Sequence, residues 1–430
     1  MHPAAGAGVA GPVHAGARGP PRGRGLDRPV AADAPDPLPE RLPVLREAPG
    51  PGVASGPPAP GPDRVAGPGG AGRAPRRPEA KVRAVVLVGG EGTRLRPLTE
   101  TIPKPLVPLV DRPSLDHVLD HLAAHGVHEA VLSSSYLEER FRSFIEARHG
   151  RPRIVWITEE EPLGTGGAIV NALEHLGDEP FLALNGDILT DLDLTAMRAF
   201  HEERRAEVTI ALHRAEDARP FGLVLTATDG RVREFREKPE EPVPGDVNAG
   251  IYLLDPAVLR GWPRARPLSI EREVFPALIA EGRRIYGFRG EAYWLDLGTP
   301  EQYLQAHFDL LEGKVRGIRY PAPYVSPEAR VDLRAHLGRW VSVGPGAVVR
   351  PDAEIDDSIV LARARVGAGA RVLASIVGPA AEVGDGATVV GCVLAEGARV
   401  APGLALEGAR LGAGEVVDPR SVTQGSGGPL

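Results

Sequence analysis

At 430 residues the chain exceeds the usual size of one domain, and with 42% hydrophobic residues it can bury substantial cores. Its net charge of −7 argues against general nucleic-acid binding, so an anionic substrate has to be held by local basic groups. Cys392 is the only cysteine, which excludes an intrachain disulfide or a thiolate cluster and leaves oxygen or histidine as metal ligands. No apolar run approaches the about 20 residues of a membrane span, and the first residues lack a signal-peptide layout, so a soluble, cytoplasmic protein is expected.

Residues 1–80 hold 15 Gly and 18 Pro and show no periodic apolar face. Such a segment cannot offset the entropy of ordering its backbone, and it is expected to be a disordered, dispensable tail. From Lys81 onward, short apolar strands alternate with amphipathic helices. Strands are expected over 84–88, 129–133, 153–157, 181–184 and 207–212, and helices over 114–124 and 137–148. This pattern predicts an α/β fold with a mostly parallel, Rossmann-like sheet over 81–320, whose ligands sit at the carboxyl ends of the strands.

Beyond Pro321 the period changes. Val343, Val349, Ile355 and Leu361 are six residues apart, as are Val366 and Val372, then Val377, Val383 and Val389, then Leu394, Val400 and Leu406, with five-residue steps between the groups. This is the hexapeptide pattern of a left-handed parallel β-helix over 321–430, with a flexible C-terminal end and a role in assembly. Deleting it is expected to change oligomer size more than phosphate chemistry. Acyl transfer is excluded because no histidine lies beyond His336 to act as base.

Two strand ends carry candidate chemistry. The first strand empties into Gly89, Gly90, Glu91, Gly92, Thr93 and Arg94, and Lys104 follows between two prolines. Glycines let backbone N–H groups approach phosphate oxygens, Arg94 offers a planar fork of donors, and Lys104 offers a compact charge. The loop lacks the Lys-Ser/Thr of a Walker A motif and the G-x-G-x-x-G spacing of dinucleotide binders. Asp187 ends the run FLALNGD and is expected to project into the cleft, with Gly186 leaving room for a ligand. Asp296, in YWLDLGTPEQY, is free of a helix-capping task because Thr299 fills the cap before Pro300. Two carboxylates with phosphate oxygens and water suit Mg²⁺.

The run GGEGTRLRPLT followed by PKPLVP resembles the signature of sugar-nucleotide pyrophosphorylases. The order of EPLGTGG, Phe221-Gly222, FREKP and NAGIY extends that resemblance over about 82–312. It implies that Gly89, Gly90, Gly92, Thr93 and Arg94 form the triphosphate loop, with Arg94 toward the leaving pyrophosphate and Lys104 at the transferred phosphate. It likewise implies that Pro162 and Gly164 border the nucleobase, that Asp187 and Asp296 bind Mg²⁺, and that Gly222, Glu237, Lys238 and Asn248 hold the sugar 1-phosphate. Arg94, Lys104 and Lys238 are the expected catalytic cations.

EEPLGTGGAI, SIEREVFPALI and AYWLDLGTPEQYLQAH are most similar to the mannose-1-phosphate guanylyltransferase subgroup, implying GTP and mannose 1-phosphate as substrates. Gly166 departs from the alanine common there, and Glu91 places a negative charge in the phosphate loop, so its side chain is expected to point outward. Glucose 1-phosphate with UTP, dTTP or ATP stays open, because pocket shape sets the preference. A silent regulatory subunit is opposed by the presence of every charged group of the motif. A homo-oligomer built through the β-helix is expected.

Overall fold

The computed structural model describes residues 82–134, 137–264 and 266–419. The expected tail over 1–80 and the expected flexible end both lie outside the described residues.

Strand β1 (Val82–Leu87) is central because nearly every residue in it is apolar and buried on both faces. It pairs in parallel with β2 (Val127–Ser134), which pairs in parallel with β3 (Arg153–Thr158). On its other side β1 pairs in parallel with β4 (Phe181–Asn185). The helices between these strands are α1 (Ser114–Ala124), α2 (Glu138–Ala147) and α3 (Gly164–Leu176). A short strand β5 (Ile188–Thr190) and helix α4 (Leu194–Arg204) follow β4.

The second half of the sheet runs differently. Strands β6 (Val208–Ala215), β7 (Gly222–Thr226), β8 (Val232–Glu237) and β9 (Gly245–Leu254) bring in antiparallel pairs. β9 lies antiparallel to both β4 and β6, and β7 and β8 form a hairpin at its amino end. After helix α5 (Phe275–Ala280), strand β10 (Ile285–Arg289) closes the edge parallel to β6. The sheet is therefore mixed: β4, β1, β2 and β3 form a continuous parallel half, and the β6–β10 pair adds a second parallel ladder at the far edge.

Period-2 alternation divides the strands between two cores. Val85, Val131, Ala183 and Tyr252 face α3 and α5, while Ala84, Val86, Leu132 and Leu184 face α1, α2 and α4. Each large apolar side chain so buried contributes roughly 1.5–3 kcal/mol. Strand β11 (Trp294–Asp296) pairs with β5 as a separate two-stranded ribbon and leads into α6 (Pro300–Glu312).

Beyond Pro321, strands of two or three residues stack into three parallel sheets, the arrangement of a left-handed parallel β-helix. One sheet takes Ser342, Ile359, Ile376, Val393 and Arg410 in succession, so equivalent corners lie 17 residues apart. The first coil, from Tyr324 to Ser342, takes 18 residues, and from Ser342 onward two sides of each coil take six residues and the third takes five. The short side is closed by side chains: Ser358 Oγ donates to Asp356 O at 2.5 Å and accepts from Ser375 N at 3.0 Å, and Ser375 Oγ accepts from Cys392 N at 3.0 Å.

That short side corrects one assignment. Leu361 is not stacked with Val343, Val349 and Ile355; Val360 holds the inward position, and Leu361 turns outward against α6. No helix among the described residues is long and apolar enough to cross a membrane.

Candidate active site

The carboxyl ends of β1 and β4 meet in a cleft of 240 Å³ lined by Gly89, Gly90, Gly92, Thr93, Arg94, Lys104 and Asp187. Gly92 has φ of 60° and caps the turn of Thr93–Leu95, and a Cβ there would lie 3.1 Å from Lys104 Cβ. Only glycine meets both demands, backbone conformation and close approach. Thr99 Oγ1 donates to Gly92 O at 2.8 Å, and buried Leu95 and Leu98 anchor the loop from below. Glu91 pairs with Arg96 at 2.6 Å, away from the cleft, as its charge requires.

The two aspartates come together on the β5 and β11 ribbon. Asp187 precedes β5, Asp296 ends β11 opposite Ile188, and Leu297 N donates to Asp187 O at 2.9 Å. Lys104 Nζ sits 2.5 Å from Asp187 Oδ2 and 3.6 Å from Asp296 Oδ1, while Arg94 Nη2 lies 3.6 Å from Asp296 Oδ2. Burial, followed by repulsion from Asp187, raises the Asp296 pKa against the pull of Lys104 and Arg94.

Thr299 caps α6, its Oγ1 accepting from Gln302 N at 3.3 Å, so Asp296 has no capping role. Gly186 serves a different end from the one expected. A Cβ there would lie 2.9 Å from Leu87 O, so the space it leaves admits β1 rather than a ligand. Among the described residues no three His, Cys, Asp or Glu side chains form a metal cluster, which leaves the aspartate pair as the cleft's oxygen donors.

Gly222, Glu237, Lys238 and Asn248 lie in a second cluster, on the hairpin and β9. Glu237 is paired with Gly222 across the hairpin, and a Cβ on Gly222 would lie 2.6 Å from the Phe235 ring and 2.9 Å from Glu237 Oε2. Lys238 has φ of 49°, and its backbone N donates to Phe221 O at 2.9 Å, leaving the side chain exposed at the hairpin end. Asn248 stands where the β9 register shifts; its Nδ2 donates to Tyr252 OH at 2.7 Å and its Oδ1 accepts from Gly250 N at 2.9 Å. Burial, followed by repulsion from Glu271, raises the Glu237 pKa.

Pro162, on the loop between β3 and α3, and Gly164, the first residue of α3, are both exposed. That loop is held by Glu159, a buried carboxylate that accepts from Ser133 Oγ at 2.8 Å and Leu163 N at 3.0 Å. Thr165 Oγ1 donates to Glu271 Oε2 at 2.6 Å, tying the same loop to the second cluster. Gly166 packs so tightly that a Cβ would lie 3.0 Å from Ile270 N.

Three residues that carry this geometry were not singled out from sequence: Glu159, Glu271 and Trp294. Trp294 joins the clusters, since it stands two residues before Asp296, donates from Nε1 to Ala249 O at 2.9 Å and packs edge-on against Phe221. Glu271 lies in a π-helical turn, Ile270–Val274, a local geometry frequent at functional sites.

Residues 83–313 match the Nucleotidyl transferase family and residues 320–421 match the GMPPB C-terminal domain. The chain is 41% identical over 296 residues to the mannose-1-phosphate guanylyltransferase of Mycobacterium tuberculosis, which covers 67% of this chain and 82% of that one. It is 36% identical over 304 residues to the probable mannose-1-phosphate guanylyltransferase 2 of Arabidopsis thaliana, covering 68% and 83%. Over 228 residues it is 40% identical to the mannose-1-phosphate guanylyltransferase catalytic subunit beta of Danio rerio, covering 52% and 63%. Among solved structures, HddC from Yersinia pseudotuberculosis aligns at 30% identity and a TM-score of 0.47, covering 52% of this chain and 97% of that one.

Proposed function

Because the chain belongs to the Nucleotidyl transferase family, among the mannose-1-phosphate guanylyltransferases, we propose that it joins GTP to α-D-mannose 1-phosphate and releases pyrophosphate. The observation that carries this reading is Lys104, held between Asp187 and Asp296 beside a glycine loop. Nucleotidyl transfer needs little covalent help from protein; it needs alignment and balanced charge. A phosphate oxygen of the sugar 1-phosphate attacks the α-phosphorus, a new P–O bond forms, and the bond from the α-phosphorus to the bridging oxygen breaks, its electron pair leaving on that bridging oxygen as part of pyrophosphate.

The Gly89, Gly90 and Gly92 backbone and Thr93 cradle the triphosphate in this reading, and Arg94 meets the departing pyrophosphate. Lys104 balances charge on the transferred phosphate. Lys238 holds the sugar 1-phosphate, Glu237 and Asn248 accept and donate at the sugar hydroxyls, and the Gly222 backbone borders them. Pro162 and Gly164 flank the guanine.

Mg²⁺ fits the aspartate pair: both are carboxylates, and their mutual repulsion is met by Lys104 and Arg94. When bound, the ion supplies Lewis-acid charge compensation for the reacting phosphates. A cytoplasmic homo-oligomer completes the proposal.

Pyrophosphate release from GTP, ATP, UTP and dTTP, each paired with mannose or glucose 1-phosphate, tests it. GTP with mannose 1-phosphate is expected to give the highest kcat/KM by at least tenfold. Preference for glucose 1-phosphate with another nucleotide would reassign the substrates, and absence of release from every pair would end the enzymatic reading.

A further inference from the structure

The half-buried carboxylate of Glu271 gathers hydroxyl groups from three segments of the chain. Its Oε2 accepts from Thr165 Oγ1 at 2.6 Å and from Ser269 Oγ at 2.9 Å, and its Oε1 accepts from Tyr252 OH at 3.4 Å. Thr165 lies in the first turn of α3, next to Gly164, and Ser269 caps the π-helical turn that holds Glu271 itself. Tyr252 is on β9, four residues after Asn248, and is fully buried.

An ionised carboxylate can only accept, so each of the three hydroxyls gives its single proton to Glu271. A lone pair remains on each oxygen, and each is used. Thr165 Oγ1 accepts from Ile270 N at 3.0 Å, Ser269 Oγ from Arg272 N at 3.2 Å, and Tyr252 OH from Asn248 Nδ2 at 2.7 Å. Burial above all, followed by the charge of Glu271, raises the Tyr252 pKa well above its ordinary value, so the phenol keeps its proton.

The direction of these bonds orients Asn248. Its Oδ1 accepts from Gly250 N at 2.9 Å while its Nδ2 donates to Tyr252, which leaves one amide N–H over. A flipped amide would set Nδ2 against Gly250 N–H, donor against donor, and would draw the Tyr252 proton away from Glu271. A neutral amide in place of Glu271 would offer a donor to at least one hydroxyl and remove the reason for this order.

On the premise that the protein is a mannose-1-phosphate guanylyltransferase, we propose that Glu271 is a positioning residue: through one carboxylate it fixes Thr165 on the guanine side and the Asn248 amide on the sugar side. The spare Asn248 N–H then has a set direction toward a sugar oxygen, and both halves of the site depend on one charge.

Steady-state pyrophosphate release separates the two arms. Tyr252→Phe cuts the link from Glu271 to Asn248 and should raise KM for mannose 1-phosphate about fivefold, with KM for GTP staying within about twofold of wild type. Thr165→Val cuts the other link and should reverse that split. Glu271→Gln should raise both constants, and adding either substitution to it should raise the corresponding constant by less than about twofold more, because that link is already lost. Fully multiplicative effects in the double variants, or Glu271→Gln with both constants unchanged, would overturn the proposal. If Glu271→Gln does not fold, the single variants decide: opposite splits support the positioning role, and equal rises or no rise in the two constants overturn it. Wild-type protein that releases no pyrophosphate from GTP and mannose 1-phosphate overturns the guanylyltransferase reading and this role together, whereas an active wild type without the splits overturns the role alone.

Discussion

Lys104 governs how the two acidic side chains of the phosphate cleft behave. With its ammonium 2.5 Å from Asp187 and 3.6 Å from Asp296, and its side chain only 10% exposed, it offsets repulsion that burial would otherwise magnify. Asp296 still has a raised pKa, so its native carboxyl binds a proton more readily than its unfolded one. Ionised Asp296 therefore weakens the fold above its native pKa, and the penalty disappears below the ordinary value of 3.8, where both states are protonated. Asp296→Asn should hold or raise the melting temperature at pH 7.5, with any gain shrinking as the pH is lowered toward 3.8, while turnover falls by orders of magnitude in both reaction directions. Asp187→Asn should cut turnover similarly, and the double variant should be far less than additive, since both losses disable one ion site. Near-wild-type turnover for Asp296→Asn at saturating Mg²⁺ would remove the metal assignment. Lys104→Met makes the complementary test, because it takes from two facing carboxylates the nearer of their two cations and leaves Arg94 alone. It should lose up to roughly 3 kcal/mol, and Mg²⁺ should restore more of its melting temperature than it adds to wild type. A variant indifferent to Mg²⁺ in that thermal assay would count against a divalent site there.

Among the elements, the hairpin of β7 and β8 delivers Lys238 beyond the sheet, since the left-handed backbone at that residue turns the chain away just after Glu237. Lys238→Ala removes a charge without touching the glycine loop. It should raise KM for mannose 1-phosphate roughly tenfold and leave KM for GTP nearly unchanged; equal rises in both would mean that the hairpin itself had shifted. Much of the element plan was legible beforehand. The helix over 114–124 coincides with α1, and the strands over 153–157 and 181–184 each fall one residue short of β3 and β4. Strand direction was less legible, because a run such as Gly245–Leu254, buried on both faces, has the same hydropathy whether it lies parallel or antiparallel to its neighbour. The misplaced Leu361 has a similar origin. A five-residue side puts two aliphatic residues, Val360 and Leu361, next to each other, and only the serine-closed corner determines which turns inward. In the site, charge type was readable and burial was not: Glu159, Glu160 and Glu161 are chemically equal in sequence, yet only Glu159 is buried to hold the loop. Trp294 was hidden because its task, joining two clusters, depends on a contact with Ala249 that is 45 residues away in the chain.

At the scale of the whole molecule, the outer face of one β-helix sheet is a foundation for the phosphate loop. Ile359, Leu361, Ile376 and Val393 share a buried cluster with Leu95 and Leu98 from that loop and with Tyr303, Leu310 and Leu311 around α6. Polar contacts across the same face are weaker: Arg410 lies 3.5 Å from Glu301 and donates to Arg96 O at 3.4 Å, both at exposed positions. An exposed ion pair is worth about 1 kcal/mol or less, whereas Ile→Ala at a buried site costs about 2–5 kcal/mol, so the apolar cluster carries the docking. This reverses the weighting expected from the hexapeptide pattern alone. Deletion after Pro321 strips the cover from Leu95 and Leu98, so it should lower the melting temperature and abolish pyrophosphate release, whatever it does to assembly. Ile376→Ala should act in the same direction, with Arg410→Ala changing stability by less than about 1 kcal/mol. Calorimetry should show the catalytic sheet and the β-helix unfolding in one transition, because the cluster couples them. A chain ending at Pro321 that kept wild-type turnover and melting temperature would show that the phosphate loop supports itself, and would return the β-helix to a role in assembly alone.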